Sequence, residues 1–315
     1  MKSKLSNLII ALLVMVACVA CCNTPSGENY KTQGGMIVFD EPSRAAGQES
    51  MLGFAADPIP VVRVGFVGLG MRGPSAVIRF CQIPGIEIVA LCDYEEKRAE
   101  AQQVHLRNAG LAPAAIYSGE KGYEELCKRP DVDLIYIATD WNHHFPVAKF
   151  AMENGKHAAI EVPSAMNLEQ CWDLINLSEK TRMHCFILEN CCYDDYEMKS
   201  LLMAQDGVFG EVIRAEGAYI HELSEFWKYY WKDPNDNDKD NLHWRMKYNM
   251  ENRGDLYATH GLGPVAQCMD IHRGDRFTTL IAMDTESFAG KDWVKNHTGK
   301  EPKEFRNGDH TTTLM

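Results

Sequence analysis

Short apolar runs bounded by Gly, Pro, Asn and Asp recur through residues 61–190, separated by stretches with helical spacing. Val61, Val62, Val64, Phe66 and Val67 are β-branched or aromatic and read as a buried strand. Ile86 to Cys92, Leu134 to Thr139, His157 to Ile160 and His184 to Leu188 read the same way. Between them, Ala76, Val77 and Phe80 keep helical spacing, and Glu95 to Gly110 is charged and amphipathic. Tyr123 to Cys127 is a shorter helical piece, and Pro146 to Asn154 predicts a helix closed by Gly155. Asn167 and Gln170 form a capping-box pattern for a helix running to about Thr181. This alternation predicts an α/β fold, a doubly wound parallel sheet over residues 61–190.

The pattern changes from Glu211. Val212 to Ile220 reads as a long strand, followed by an aromatic stretch, Phe226 to Trp231, that reads as core. Pro234 to Asn241 is half of a calcium-loop pattern without its glycine and terminal glutamate, and reads as a solvated loop. Arg253 to Pro264 leads into a helical pattern through Met269, and Thr311 to Met315 reads as a strand cut short. Residues 191–315 are therefore expected to form a second, α+β domain.

The first strand ends in Gly68-Leu69-Gly70-Met71-Arg72-Gly73, a G-x-G-x-x-G opening a helix. The first glycine permits the tight turn, the second close approach of a pyrophosphate, and the third helix–strand packing. The second strand ends at Asp93, where a ribose-binding carboxylate is expected. An acid there repels a 2′-phosphate, so NAD is favoured over NADP. Ligands of such sheets bind beyond the carboxyl ends of the strands, and Arg72, Asp93, Trp141, His144, Glu161 and Asn190 all fall there.

The 315 residues, 45% apolar, suffice for two domains, and a formal net charge of −12 argues against nucleic acid and anionic membrane surfaces as partners. Residues 1–22 carry Lys2 and Lys4, an apolar Leu8 to Val16 and then Ala17-Cys18-Val19-Ala20-Cys21-Cys22. They read as an export leader: an ordinary secretory signal, or a bacterial lipoprotein leader with Cys18 or Cys21 lipidated. The expected location is periplasmic or outer-membrane-associated. Residues 23–60 read as a tether between anchor and domain. Eight of the 11 cysteines follow the leader without a paired metal-ligand spacing, so no metal is expected.

Several passages carry a resemblance. They include Gly68 to Gly73, Asn154-Gly155-Lys156-His157, Glu161-Val162-Pro163, Leu188 to Tyr193, Glu216 to His221, Leu256 to Gln267 and Arg273 to Arg276. Through them the chain resembles the Gfo/Idh/MocA group of NAD(P)-dependent sugar enzymes, a Rossmann domain followed by an open, mostly antiparallel sheet. More narrowly it is similar to glycoside hydrolase family 109, the NAD-dependent α-N-acetylgalactosaminidases. The resemblance implies NAD as cofactor, held by Met71, Arg72, Asp93, Trp141, Asn142, His143, His144, Glu161, Val162 and Asn190 beside the three glycines of the motif. It implies that Tyr219, Arg245, Tyr257, Ala258, Thr259 and His260 line a terminal N-acetylgalactosamine. Ala258 stands where the family usually has proline, and a later family tyrosine at the sugar lies beyond residue 315, so an incomplete pocket with little activity is expected of this chain. Family members often pair through the second sheet, which makes a homodimer an expectation.

Dehydrogenases of the wider group carry Glu-Lys-Pro where this chain has Val162, which cannot ionise. Net sugar oxidation therefore loses ground to hydrolysis by transient oxidation at C3, elimination, water addition and re-reduction, with no net use of NAD. Tyr219, His221 and His260 are the candidates for the proton transfers, with a satisfied strand histidine as the alternative for His221. An NAD-dependent sugar or inositol dehydrogenase and a non-catalytic nucleotide- or sugar-binding protein remain as rival readings.

Overall fold

A computed structural model describes residues 30–39, 42–223, 242–299, 301 and 305–315. The leader, the Phe226 to Trp231 stretch and the Pro234 to Asn241 loop lie outside the described residues. Two compact units divide the chain, Met1–Gly47 and Gln48–Met315. In the first, β1 (Tyr30–Gln33) and β2 (Met36–Phe39) pair as an antiparallel hairpin, so the tether read from the sequence carries a regular element. Lys31-Thr32-Gln33-Gly34-Gly35 turns into Met36-Ile37-Val38-Phe39, and Gly34 and Gly35 both adopt positive φ, as a tight hairpin turn requires.

In the second unit a parallel sheet forms from β3 (Val62–Val67), β4 (Ile86–Asp93), β5 (Ala115–Ser118), β6 (Leu134–Ile137), β7 (His157–Ile160) and β8 (Cys185–Ile187). Its spatial order is β5-β4-β3-β6-β7-β8, so the winding reverses between β3 and β6. The crevice beyond the carboxyl ends at that reversal is where such sheets bind ligands. Helices α1 (Gly73–Phe80), α2 (Glu96–Asn108), α3 (Gly122–Cys127), α4 (Trp141–Glu153) and α5 (Leu168–Thr181) connect the strands.

Strand alternation divides the core. Val64, Phe66, Leu91 and Tyr136 point to one face and pack with Ala76 and Val77 of α1 and Ala99 and Leu106 of α2. Val67, Cys92, Ile135 and Ile137 point to the other and meet Val147, Ala148, Ala151 and Met152 of α4. Phe66 and Tyr136 stack at 4.9 Å, with Phe80 edge-on to both.

Two boundaries differ from the sequence reading for physical reasons. Helix α4 begins at Trp141 rather than Pro146, because the Asp140 side chain accepts the Asn142 N–H (3.1 Å) and caps it. Pro146 then sits inside the helix, where it removes only the amide that would bond to the Asn142 carbonyl. The capping box of α5 is shifted by one residue. Asn167 Oδ1 accepts the Gln170 N–H (2.9 Å), while Gln170 Oε1 accepts the N–H of Met166 (2.9 Å) rather than of Asn167.

After β8 come a 3₁₀ turn (Asn190–Tyr193), α6 (Asp195–Gln205), α7 (Trp244–Glu251) and α8 (Thr259–Cys268). Then β9 (Ile281–Asp284), α9 (Ala289–Thr298) and β10 (Thr311–Leu314) follow, and β9 and β10 pair antiparallel. Leu242, Met246 and Met250 pack with Trp293, Val294 and Phe305 into a small second core. The expected strand over Val212 to Ile220 does not form: these residues join no ladder, and Ile213 and Ile220 are exposed. A strand exists only with a partner, and among the described residues none pairs with this segment.

Candidate active site

The glycine turn is built by close approach. Gly68 has φ +94°, and a side chain there would meet the Ala138 carbonyl oxygen at 2.4 Å. A Cβ on Gly73 would meet the Gly68 carbonyl oxygen at 2.1 Å, so the helix start closes directly on the turn. Gly70, by contrast, faces open space, with Arg98 Nη1 at 3.8 Å as its nearest neighbour. Asp93, buried at the end of β4, accepts the Leu69 N–H on Oδ2 (2.7 Å) and the Glu95 N–H on Oδ1 (2.9 Å). Each oxygen keeps a lone pair for a ribose hydroxyl.

A second group lies at the ends of β6 and β7. Glu161 Oε1 accepts from the Tyr136 hydroxyl (2.5 Å) and from Arg72 Nε (3.1 Å). Burial and the bonded Glu161 push the Tyr136 phenol well above the usual tyrosine range, so it stays a donor. Val162, next to Glu161 in the chain, is buried, and so is His144. His144 Nδ1 sits 2.6 Å from the Pro163 carbonyl oxygen and Nε2 3.2 Å from that of Thr139. Burial holds its pKa below the usual imidazole value, so the neutral ring has one N–H, which the shorter contact assigns to Nδ1, donating to the Pro163 carbonyl and tying that residue to α4.

Trp141 opens α4 and carries this face into the second domain. It packs against Trp244, Tyr248 and Tyr257, and the Arg245 guanidinium lies over both Trp141 (5.1 Å) and Tyr257 (4.8 Å). Burial raises the Tyr257 pKa, opposed by Arg245.

The third group is an aromatic and imidazole cluster. Tyr219 lies 5.0 Å from Tyr257, 5.2 Å from His260 and 5.6 Å from His221, ring to ring. Backbone contact sets it: a Cβ on Gly217 would meet the Gly261 carbonyl oxygen at 2.2 Å, so segment 216–219 rests directly on α8. His260 Nδ1 faces Glu189 Oε1 at 2.5 Å, and Glu189 is only 4% exposed. The carboxylate accepts, so Nδ1 carries the proton and Nε2 is left to act on a ligand.

The structure thus joins Gly68, Gly70, Arg72, Gly73, Asp93, Trp141, His144, Glu161 and Val162 along the strand ends. Through Tyr257 and Arg245 this edge meets Tyr219, His221 and His260. Ala258 and Thr259 form the start of α8. Met71, Asn142 and Asn190 are exposed, and His143 faces outward with Nδ1 2.5 Å from Asp140. These four make no side-chain contact with the imidazole cluster among the bonds and ring contacts described.

Residues 62–188 match the model of the oxidoreductase family with an NAD-binding Rossmann fold, and residues 193–315 match the glycosyl hydrolase 109 C-terminal domain. The chain is similar to glycosyl hydrolase family 109 protein 3 of Phocaeicola vulgatus, 71% identical over the whole chain and 58% of that protein. It is also similar to glycosyl hydrolase family 109 protein 1 of Bacteroides thetaiotaomicron, 51% identical over the whole chain and 64% of that relative. The chain is thus similar to glycosyl hydrolase family 109 proteins and carries the C-terminal domain of that family. It spans about six tenths of the length of these relatives.

Solved structures agree on the fold. An NAD-binding oxidoreductase from Klebsiella pneumoniae superposes with a TM-score of 0.59 at 20% identity, covering 81% of this chain and 63% of that one. A putative myo-inositol dehydrogenase from Sinorhizobium meliloti gives 0.55 at 16% identity, over 80% and 64%. The first domain is accordingly an NAD-binding Rossmann domain. Glu189 and Tyr136 are the candidate-site residues that motif reading passes over. Glu189 lies two residues beyond the end of β8, and an acid just past a strand's carboxyl end is the signal that points to it.

Proposed function

We propose that the full-length protein is an α-N-acetylgalactosaminidase in which bound NAD supplies a reversible oxidation at sugar C3, so that elimination and water addition hydrolyse the glycoside without net use of cofactor. The observation that carries this reading is the His260–Glu189 pair, 2.5 Å apart and packed against Tyr219 and Tyr257 beside the nucleotide edge of the sheet. The glycine turn fits a dinucleotide: Gly70 is open and Gly68 and Gly73 are closed. In this reading Gly68, Gly70 and Gly73 seat the pyrophosphate at the start of α1, Asp93 takes a ribose, and Arg72 and Glu161 line the inner edge.

The proton chemistry falls to side chains of the second domain. An imidazole held by a buried carboxylate can take the C2 proton or deliver one to the departing oxygen, and a phenol beside it can share that task. His260, Tyr219 and His221 fill these roles, while Arg245 and Tyr257, with Ala258 and Thr259, hold the sugar. Buried Val162 leaves no lysine amine beside Glu161 to take the proton of a hydroxyl undergoing net oxidation. A leader-directed export fits the same reading, since a retained cofactor needs no supply outside the cytoplasm.

The test is an assay of the full-length protein on p-nitrophenyl α-N-acetylgalactosaminide without added NAD. Release of p-nitrophenol without accumulation of NADH is the expected result. Stoichiometric growth of NADH would make it a dehydrogenase, and copurified NAD without either activity would make it a binding protein.

A further inference from the structure

The same corner, where the end of the first domain meets α8, brings His260 onto Glu189 and Cys191, about 70 positions earlier in the chain. One carboxylate oxygen of Glu189, the Cys191 sulfur and one ring nitrogen of His260 all lie within 4.8 Å of one another. Each is anchored. The Glu189 carboxylate accepts the Cys191 N–H (3.0 Å), which fixes the 3₁₀ turn that presents the thiol. His260 is fixed by its place in the first turn of α8. A Cβ on Gly263 would meet Cys192 Sγ at 2.9 Å and Glu189 Cγ at 3.0 Å, so glycine there lets the helix close on this turn.

The cluster also leaves a valence unused. Glu189 Oε2 is buried with no hydrogen-bond partner. A buried carboxylate oxygen without a donor is costly, and a cation is the group that satisfies it most completely. We infer that Glu189, Cys191 and His260 form a binding site for a thiophilic divalent cation of the zinc class. The ligand set is carboxylate, thiolate and imidazole, which suits a borderline-soft ion and not magnesium or calcium. Tetrahedral bonds of about 2.0–2.3 Å place ligand atoms about 3.5 Å apart, so closing the cluster needs shifts of about 1 Å. Charge balances, because a dication meets one carboxylate and one thiolate: the thiol proton leaves to solvent, and the His260 proton shifts from Nδ1 to Nε2, so that a neutral imidazole binds through Nδ1. With three protein ligands, a fourth position stays open.

Occupation would remove the Glu189–His260 pairing. On the reading above, in which His260 moves protons, the ion is therefore an inhibitor rather than a cofactor.

Chelator-treated full-length protein is titrated with cobalt(II), then with zinc. The expected result is a thiolate-to-cobalt charge-transfer absorption that zinc abolishes, that Cys191→Ser removes and that Cys192→Ser retains. Zinc should also protect Cys191 of the unaltered protein from alkylation, read by peptide mass. No absorption, an absorption unchanged in Cys191→Ser, or no protection would overturn the site. In the glycosidase assay zinc should inhibit the unaltered protein, with Cys191→Ser at least about tenfold less sensitive and of unchanged basal activity. Absorption and protection without inhibition would uphold the site and count against the role given to His260. The two readings therefore fail separately.

Discussion

His260 is positioned by a residue that no sequence motif singles out. Glu189 fixes the imidazole from 2.5 Å and is itself buried, so it acts through His260. Glu189→Gln keeps the shape and removes the charge. In the proposed glycosidase reaction it is expected to lower kcat of the full-length protein about 10- to 100-fold with little change in KM, and to shift the pH profile. A KM effect alone would assign Glu189 to sugar binding. Gly68→Ala puts a methyl group 2.4 Å from the Ala138 carbonyl oxygen at φ +94°. Left-handed strain of about 1–3 kcal/mol, together with that clash, should lower the melting temperature and abolish NAD copurification. The glycines and Asp93 were legible because each is demanded by backbone geometry at one fixed spacing. Glu189 was not, because its partner lies 71 positions away and only tertiary packing brings them together.

Histidine burial adds a pH dependence. Burial depresses the pKa of His144, and burial followed by His184 depresses that of His157, from an ordinary value of 6.5. Below that value the unfolded chain takes up protons that the folded chain refuses, so stability is complete above pH 6.5 and falls as pH drops. Melting temperatures across this range should decline toward acid, and His144→Asn should flatten the slope. An unchanged slope would mean that other groups set it.

At the scale of elements, the sheet strands were readable from apolar runs because a parallel sheet buries both faces. Val212 to Ile220 also reads as a strand and forms none, since a sequence pattern cannot supply a ladder partner. What holds that segment is instead the contact of Gly217 with Gly261. Gly217→Ala should displace Tyr219 from His260 and lower kcat about 100-fold while leaving NAD retention intact. Loss of bound NAD in that variant would show that the contact serves the whole fold. Helix α4 carries a related lesson. Its cap, Asp140, was passed over in the sequence because Pro146, a residue favoured in a first helical turn, points to a later boundary.

At the scale of the molecule, an NAD-binding Rossmann domain and a glycosyl hydrolase 109 C-terminal domain share one chain. The central claim is that the sugar is oxidised at C3 only in passing, so that its C2 proton becomes exchangeable before water is added. Hydrolysis of an α-N-acetylgalactosaminide by the full-length protein in deuterium oxide tests this most directly. The account predicts N-acetylgalactosamine carrying one deuterium at C2. Product hydrolysed with no deuterium at C2 would contradict it.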